Sequence, residues 1–290
     1  MPQSLRSTIN QPTFTKGIIK LALRSPEGSR RVWCVVEGVD DIAIYERMFN
    51  VDAVKVISSE DEEGKRGCRN VEQIVTDLHA EEENPRVFGI RDCDYTRYAT
   101  DYSCPANVFL TDCRDIEMMM FNAPSVQMAL EAWNKAFLEK IEVCAGVVRY
   151  LGYIRIYNEI YQTSCIFHDN LTKVSLVWNF DTHSIKTDYK ECLFNKYKNT
   201  CPVLVEEEDF NNFIRTKRLE EEPYFYVCRG HDVIRLLPNM MIYQEYNNKA
   251  IFQCMLNAYS QGDFFSTNLY CNINTWACLL YTSDAADEAR

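Results

Sequence analysis

The sequence predicts an α/β fold, a mostly parallel sheet flanked by helices, with a mainly helical accessory region after it. Two observations carry the prediction. Over residues 31–122, short β-branched runs alternate with segments whose apolar residues recur at helical spacing. The resulting βαβαββ order asks for parallel strands with helices on the sheet faces. Over residues 123–277 the helical period dominates.

Val32 to Val36 read as a buried strand, because Val32, Val35 and Val36 are β-branched and no turn residue interrupts them. A helix is expected from Asp41, with Ile42, Tyr45, Met48 and Phe49 at helical spacing and Asp40 or Asp41 as its N-cap. Residues 53–59 form a second strand, followed by the polar loop "EDEEGKRGCRN". Residues 71–83 form a helix with Val71, Ile74, Val75 and Leu78 on one face. "RVFGIRDCD" (86–94) and "NVFLTDCRD" (107–115) are the third and fourth strands. Helical patterns then cover 125–142 and 144–161, the first through Val126, Leu130, Trp133, Phe137 and Ile141. Residues 163–205 have no clean period and leave room for short strands. "YFYVCRG" (224–230) reads as a strand leading into a helix that opens near His231.

A formal net charge of −11 over 290 residues excludes generalised electrostatic binding to nucleic acid. Such a partner needs a local basic patch or metal ions to offset the carboxylates. No apolar run approaches the roughly 18 residues of a membrane span. The opening stretch lacks an apolar signal core, so a cytoplasmic protein without membrane contact is expected. The thirteen cysteines show no CxxC pair and no Cys/His cluster at zinc spacing, which points to reduced, mostly buried thiols. Residues 1–30 stand as an N-terminal extension. Residues 278–290, "CLLYTSDAADEAR", match a translation of a transposase mosaic-end sequencing adapter. They are expected to be an adapter-derived scar, poorly packed, on a metagenomic gene truncated near Ala277.

Carboxylates gather where the strands end. Glu37 closes the first strand and is followed by Gly38; Asp92 and Asp94 close the third; Asp112, Asp115 and Glu117 follow the fourth. In a parallel sheet the first and third strands can be neighbours, and open α/β sheets place ligands at their carboxyl ends. Carboxylates brought that close repel and raise one another's pKa, a cost that a hard, oxygen-liganded cation such as Mg²⁺ removes. A DxD pair alone is more often a capped turn. The combination of Glu-Gly after strand one and DxD after strand three is more specific.

That combination resembles the Toprim fold of topoisomerases, primases and overcoming-lysogenization-defect nucleases. "VVEGVDDIAIYERMF", "GKRGCRNV", "VFGIRDCDY", "NVFLTDCRDIE", "CRGHDVIRLL" and "FFSTNLYCNINTW" occur here in the order of a narrower Toprim-like family. Its members, the AriB-like effectors of PARIS systems among them, accompany ABC-type ATPases in bacterial anti-phage defence. The resemblance covers roughly residues 30–277. It implies an Mg²⁺-dependent nuclease (one or two ions, Mn²⁺ as a substitute) that cleaves phosphodiester bonds. It also implies RNA, transfer RNA in particular, rather than DNA as substrate and an ABC-type ATPase as partner; a homodimer is a further possibility that the sequence leaves open. By the same resemblance Glu37 is a general acid/base or metal ligand, Asp92 and Asp94 are metal ligands, and Lys65 holds the scissile phosphate or leaving oxygen. Asp115 and Glu117, in the "DIE" segment, join the metal set. Arg66, Arg69, Arg91 and Arg97 supply local positive charge for the substrate. His231 and Asp232, in the "GHD" segment, are either an accessory site or a helix cap with a satisfied histidine. Arg91, Cys93 and Arg114 depart from the family pattern. The competing expectation is a non-catalytic interaction module docking on an ATPase, its acids binding metal only.

Overall fold

The computed structural model describes residues 13–60, 67–83, 85–99, 101–163, 167, 174–200, 206–241 and 246–288. The chain divides into two compact units. One comprises Met1–Asp92, Ser103–Asp112 and Ser260–Arg290; the other comprises Cys93–Tyr102 and Cys113–Tyr259. Each unit is thus assembled from separate stretches of the chain.

The first unit is α/β. Four strands, β1 (Val32–Val36), β2 (Val54–Ser58), β3 (Val87–Arg91) and β4 (Val108–Leu110), form a parallel sheet in the order β2-β1-β3-β4. Cys34 pairs with Val56 on one side and Phe88 on the other, and Ile90 pairs with Phe109. Helices α1 (Thr13–Leu23), α2 (Val39–Met48) and α3 (Cys68–Glu81) accompany the sheet. Because strand side chains alternate, Trp33, Val35, Val87 and Val108 meet Ile19 of α1 and Val71, Ile74, Val75 and Leu78 of α3 in one buried cluster. Gly89 lets α3 lie this close: a Cβ there would stand 2.6 Å from Val71 Cγ1. On the opposite alternation, Phe88 packs edge-on to Phe49, with ring centroids 5.9 Å apart, and lies 5.1 Å from Trp276.

Trp276 belongs to α13 (Asn268–Glu288), which follows the short α12 (Gln261–Phe265). The start of α13 is set by Asp112, whose carboxylate accepts from the Asn268 and Leu269 amides, both at 2.7 Å. Backbone helix runs unbroken through Glu288. Leu279 nevertheless stands 68% exposed.

The second unit is mostly helical: α4 (Ile116–Asn122), α5 (Pro124–Trp133), α6 (Phe137–Tyr161), α7 (Tyr189–Thr200), α8 (Glu207–Thr216), α9 (Tyr224–Val227), α10 (Gly230–Met240) and α11 (Asn248–Ala258). A two-stranded antiparallel ribbon, β5 (Trp178–Asn179) with β6 (Ser184–Ile185), lies in the stretch that lacked a clean period. The helix expected over 125–142 is broken: Asn134 ends α5, and its side chain accepts from the Ala136 amide at 2.9 Å, starting a new turn. "YFYVCRG" is not a strand. Pro223 leads into α9, and two carbonyls that a ladder would use go elsewhere, Phe225 O to the Arg114 amide and Val227 O to the Tyr95 hydroxyl.

Among the described residues no helix is long and apolar enough to cross a membrane. Cys34, Cys113, Cys144 and Cys228 are buried free thiols, and burial pushes Cys34, Cys144 and Cys228 upward, away from the reactive thiolate.

Candidate functional site

At the carboxyl end of the first unit's sheet, β1 runs into Glu37 and turns through Gly38 into α2. Gly38, not an aspartate, is the N-cap. Asp41 is the third helical residue, and its carboxylate reaches back to the Gly38 amide at 2.8 Å, half of a capping box. Glu37, the residue before the cap, reaches the end of β3. Its Oε1 accepts from the Asp92 amide at 2.9 Å, while its own carbonyl accepts from Ser59 Oγ at 3.0 Å. Glu37 and Asp92, both half-buried, therefore stand at the ends of the paired strands β1 and β3. Arg91, expected to face substrate, is instead 4% exposed. Its Nε donates to the Asp92 carbonyl at 3.0 Å and its Nη1 pairs with Glu72 of α3. A buried guanidinium in a parallel strand needs such a carboxylate. Arg91 is thereby corrected from a substrate contact to a brace for the turn that carries Asp92.

The second unit holds its acids differently. Asp94, in the left-handed region at φ 48°, is bound by Arg114 at 2.9 Å, and its amide donates to the Arg114 carbonyl. Arg114 also bonds Asp115 and lies 5.0 Å from the Tyr95 ring centre. Asp115 is 2% exposed and is the N-cap of α4. One oxygen accepts from the Met118 amide and the other from the Gly230 amide, both at 2.9 Å, the second shared with Arg114. Burial pushes the Asp115 carboxyl up, against the pull of Arg114. Glu117, also buried, pairs with His231 Nδ1 at 2.8 Å. Burial alone would raise Glu117, but the hydrogen bond and charge of His231 outweigh it and hold the carboxyl below its ordinary value. Asp232 is wholly buried against Arg155 of α6.

These partners engage the second unit's members of the expected metal set. Asp115 gives both oxygens to backbone N–H donors and one of them to Arg114 as well, and Glu117 is committed to His231. Neither suits an ion already surrounded by oxygens. Asp232 balances Arg155 and belongs to the core of its unit. Among the described residues no group of three or more His, Cys, Asp or Glu side chains is arranged to hold a metal ion. Glu37 and Asp92 stand together at the ends of β1 and β3, joined through the Asp92 amide. No family model and no curated protein matches the chain.

Of the remaining expected residues, Lys65 and Arg66 lie outside the described residues. Arg69 is exposed in the first turn of α3. Arg97 stacks 3.8 Å from the Tyr226 ring centre and lies 3.8 Å from Glu222. Sequence reasoning missed Glu72, Arg155, Gly230 and the capping role of Asp112. Only Arg155 carried a signal, as a lone charge inside the apolar run "YLGYIRIY". Such a charge needs a buried partner.

Proposed function

We propose that the chain is an Mg²⁺-dependent nuclease that cleaves phosphodiester bonds in RNA, transfer RNA in particular, as an effector of anti-phage defence with an ABC-type ATPase. One observation supports the reading above the others. Glu37 and Asp92 flank one strand pairing at the carboxyl end of a parallel sheet, and the Glu37 carboxylate lies against the Asp92 backbone. The order of the motifs supports it independently. In this reading Glu37 and Asp92 hold the cation. A bound Mg²⁺ polarises the phosphoryl oxygens and offsets the charge that develops on the leaving oxygen. Glu37 is held in place by the Asp92 amide, and the Arg91–Glu72 pair fixes the turn that presents Asp92.

The test compares the parent with Glu37→Gln on transfer RNA and plasmid DNA, with and without Mg²⁺. Glutamine can still accept from the Asp92 amide, so the fold should persist. Cleavage of RNA is expected only with Mg²⁺ and should fall about 10²- to 10³-fold in the variant, the scale of losing one preorganised electrostatic contact. Equal cleavage by both proteins would sink the assignment.

A second reading has an observation of its own. Asp94, Asp115 and Glu117 are all engaged by Arg114 or His231, which favours a scaffold that docks on an ATPase without cleaving anything. Absence of cleavage by the parent in Mg²⁺ would favour that module.

A further inference from the structure

Within the second unit, the end of α10 and the start of α11 border an open cleft of about 550 Å³. The local sequence sets both walls. Tyr246 is buried, its ring 5.0 Å from that of Trp133 and 5.2 Å from that of Phe137, and its hydroxyl accepts from Asn134 Nδ2 at 3.1 Å. Asn247 then caps α11: its Oδ1 accepts from the Ala250 amide and its carbonyl from the Ile251 amide, both at 3.0 Å. The amides of Asn248 and Lys249, in the first turn, have no protein acceptor among the described residues. On the α10 side, Asn239 Nδ2 donates to the carbonyls of Arg235 and Leu236, both at 3.2 Å.

The charge of the cleft is one-sided. Arg235 and Lys249 both line it, no acid lines it among the described residues, and neither cation pairs with an acid among them. Like charges facing one space disfavour each other, and an anion held between them removes that cost. The first turn of α11 adds the positive end of a helix dipole and free N–H donors. The α10 carbonyls that would oppose an anion are partly covered by Asn239.

We infer that this cleft binds the phosphate monoester of a small, nucleotide-sized molecule. Arg235 supplies a planar fork for two phosphate oxygens, Lys249 a point charge, and the Asn248 and Lys249 amides further donors. The volume is within the roughly 300–1,000 Å³ of sites for small organic ligands. Asn239 Oδ1 and Asn247 Nδ2, an acceptor and a donor that the two helix ends do not use, serve the organic part of the ligand. A nucleic-acid strand fits less well, because following its backbone takes a track of cations and the described lining has two. The inference uses none of the residues assigned to phosphodiester cleavage and stands apart from that reading.

The experiment is calorimetric titration of the full chain with AMP, adenosine and a 5′-phosphorylated oligoribonucleotide, together with amide hydrogen exchange with and without AMP. AMP should bind and adenosine should not, because the phosphate carries the recognition. Arg235→Gln and Lys249→Gln should each weaken AMP binding about 10- to 100-fold, the scale of losing one hydrogen bond to a charged group. Lys217→Gln removes a cation outside the cleft and should bind like the parent. AMP should also slow exchange at the Asn248 and Lys249 amides, which places the ligand at the head of α11. Lys249 is exposed, so if Arg235→Gln fails to fold, Lys249→Gln decides alone. The inference is overturned if AMP at about 1 mM neither binds nor slows that exchange. Adenosine binding as tightly as AMP overturns it, as does an oligoribonucleotide that binds where AMP does not. Equal weakening by Lys217→Gln and Lys249→Gln would show diffuse attraction and overturn it too. A parent that binds AMP in this way yet cleaves no RNA strikes only the nuclease reading.

Discussion

A side chain at position 230 has no room. Gly230 sits where the heads of α4 and α10 touch, and the nearest atoms to a new Cβ are Glu117 Cβ, Asp115 Oδ1 and the Met118 amide nitrogen. None is the loose end of a long side chain, so Gly230→Ala must push two helix starts apart. Overpacking of this kind costs about 1–3 kcal/mol. Urea unfolding should report that loss, and stability equal to the parent would show that the helix heads separate freely. At this scale the sequence was legible for groups whose duty is set by their own strand or turn. Glu37 is one, an acid after a buried strand. It was illegible where a partner arrives from far along the chain: nothing near Asp115 in sequence announces Gly230, 115 residues away. Acids that looked alike as strand-end carboxylates thus differ in their partners: Glu37 accepts from the Asp92 amide, whereas Asp94, Asp115 and Glu117 pair with Arg114 or His231.

At the scale of elements, hydrophobic period fixed the strands and α3 well, because each has one face to bury and a register to keep. It failed where backbone groups are satisfied by irregular partners. The turn at Asn134 and the single helical turn of α9 both depend on hydrogen bonds that periodicity does not see. The last helix tests how far such reading goes. Leu269, Ile273 and Trp276 are its inward residues, with Trp276 Nε1 donating to Asn107 at 2.9 Å, whereas Cys278 and Leu279 are exposed. Deleting residues 278–290 should therefore shift the melting temperature by no more than a few degrees, on the scale of about 1 kcal/mol or less. Deleting from Trp276 onward should cost several kcal/mol, because it removes a ring packed on Phe88 and Phe109. A large drop from the shorter deletion would show that the adapter-like segment contributes to the core.

For the whole molecule, the formal charge of −11 must be reconciled with an RNA substrate. Many described cations are already committed within the fold: Lys16 to Asp77, Lys20 and Arg24 to Glu82, Lys55 to Glu46, Lys198 to Glu206, Arg218 to Glu221. Others, Arg69, Lys135, Arg215 and Lys217 among them, pair with no acid among the described residues, but over the whole sequence 42 carboxylates stand against 31 Lys and Arg. Affinity for nucleic acid should accordingly depend only weakly on salt. For single-stranded contacts the slope of log K against log salt is about −0.7 per phosphate neutralised, so three or four contacts give roughly −2 to −3. The measurement is fluorescence anisotropy of labelled transfer RNA with the Glu37→Gln protein, without Mg²⁺, across a salt series. The shallow slope expected would place recognition in shape, hydrogen bonding and the cation rather than in bulk charge. A slope of about −6 or steeper would require an extended basic surface, and the charge argument drawn from composition would then be wrong.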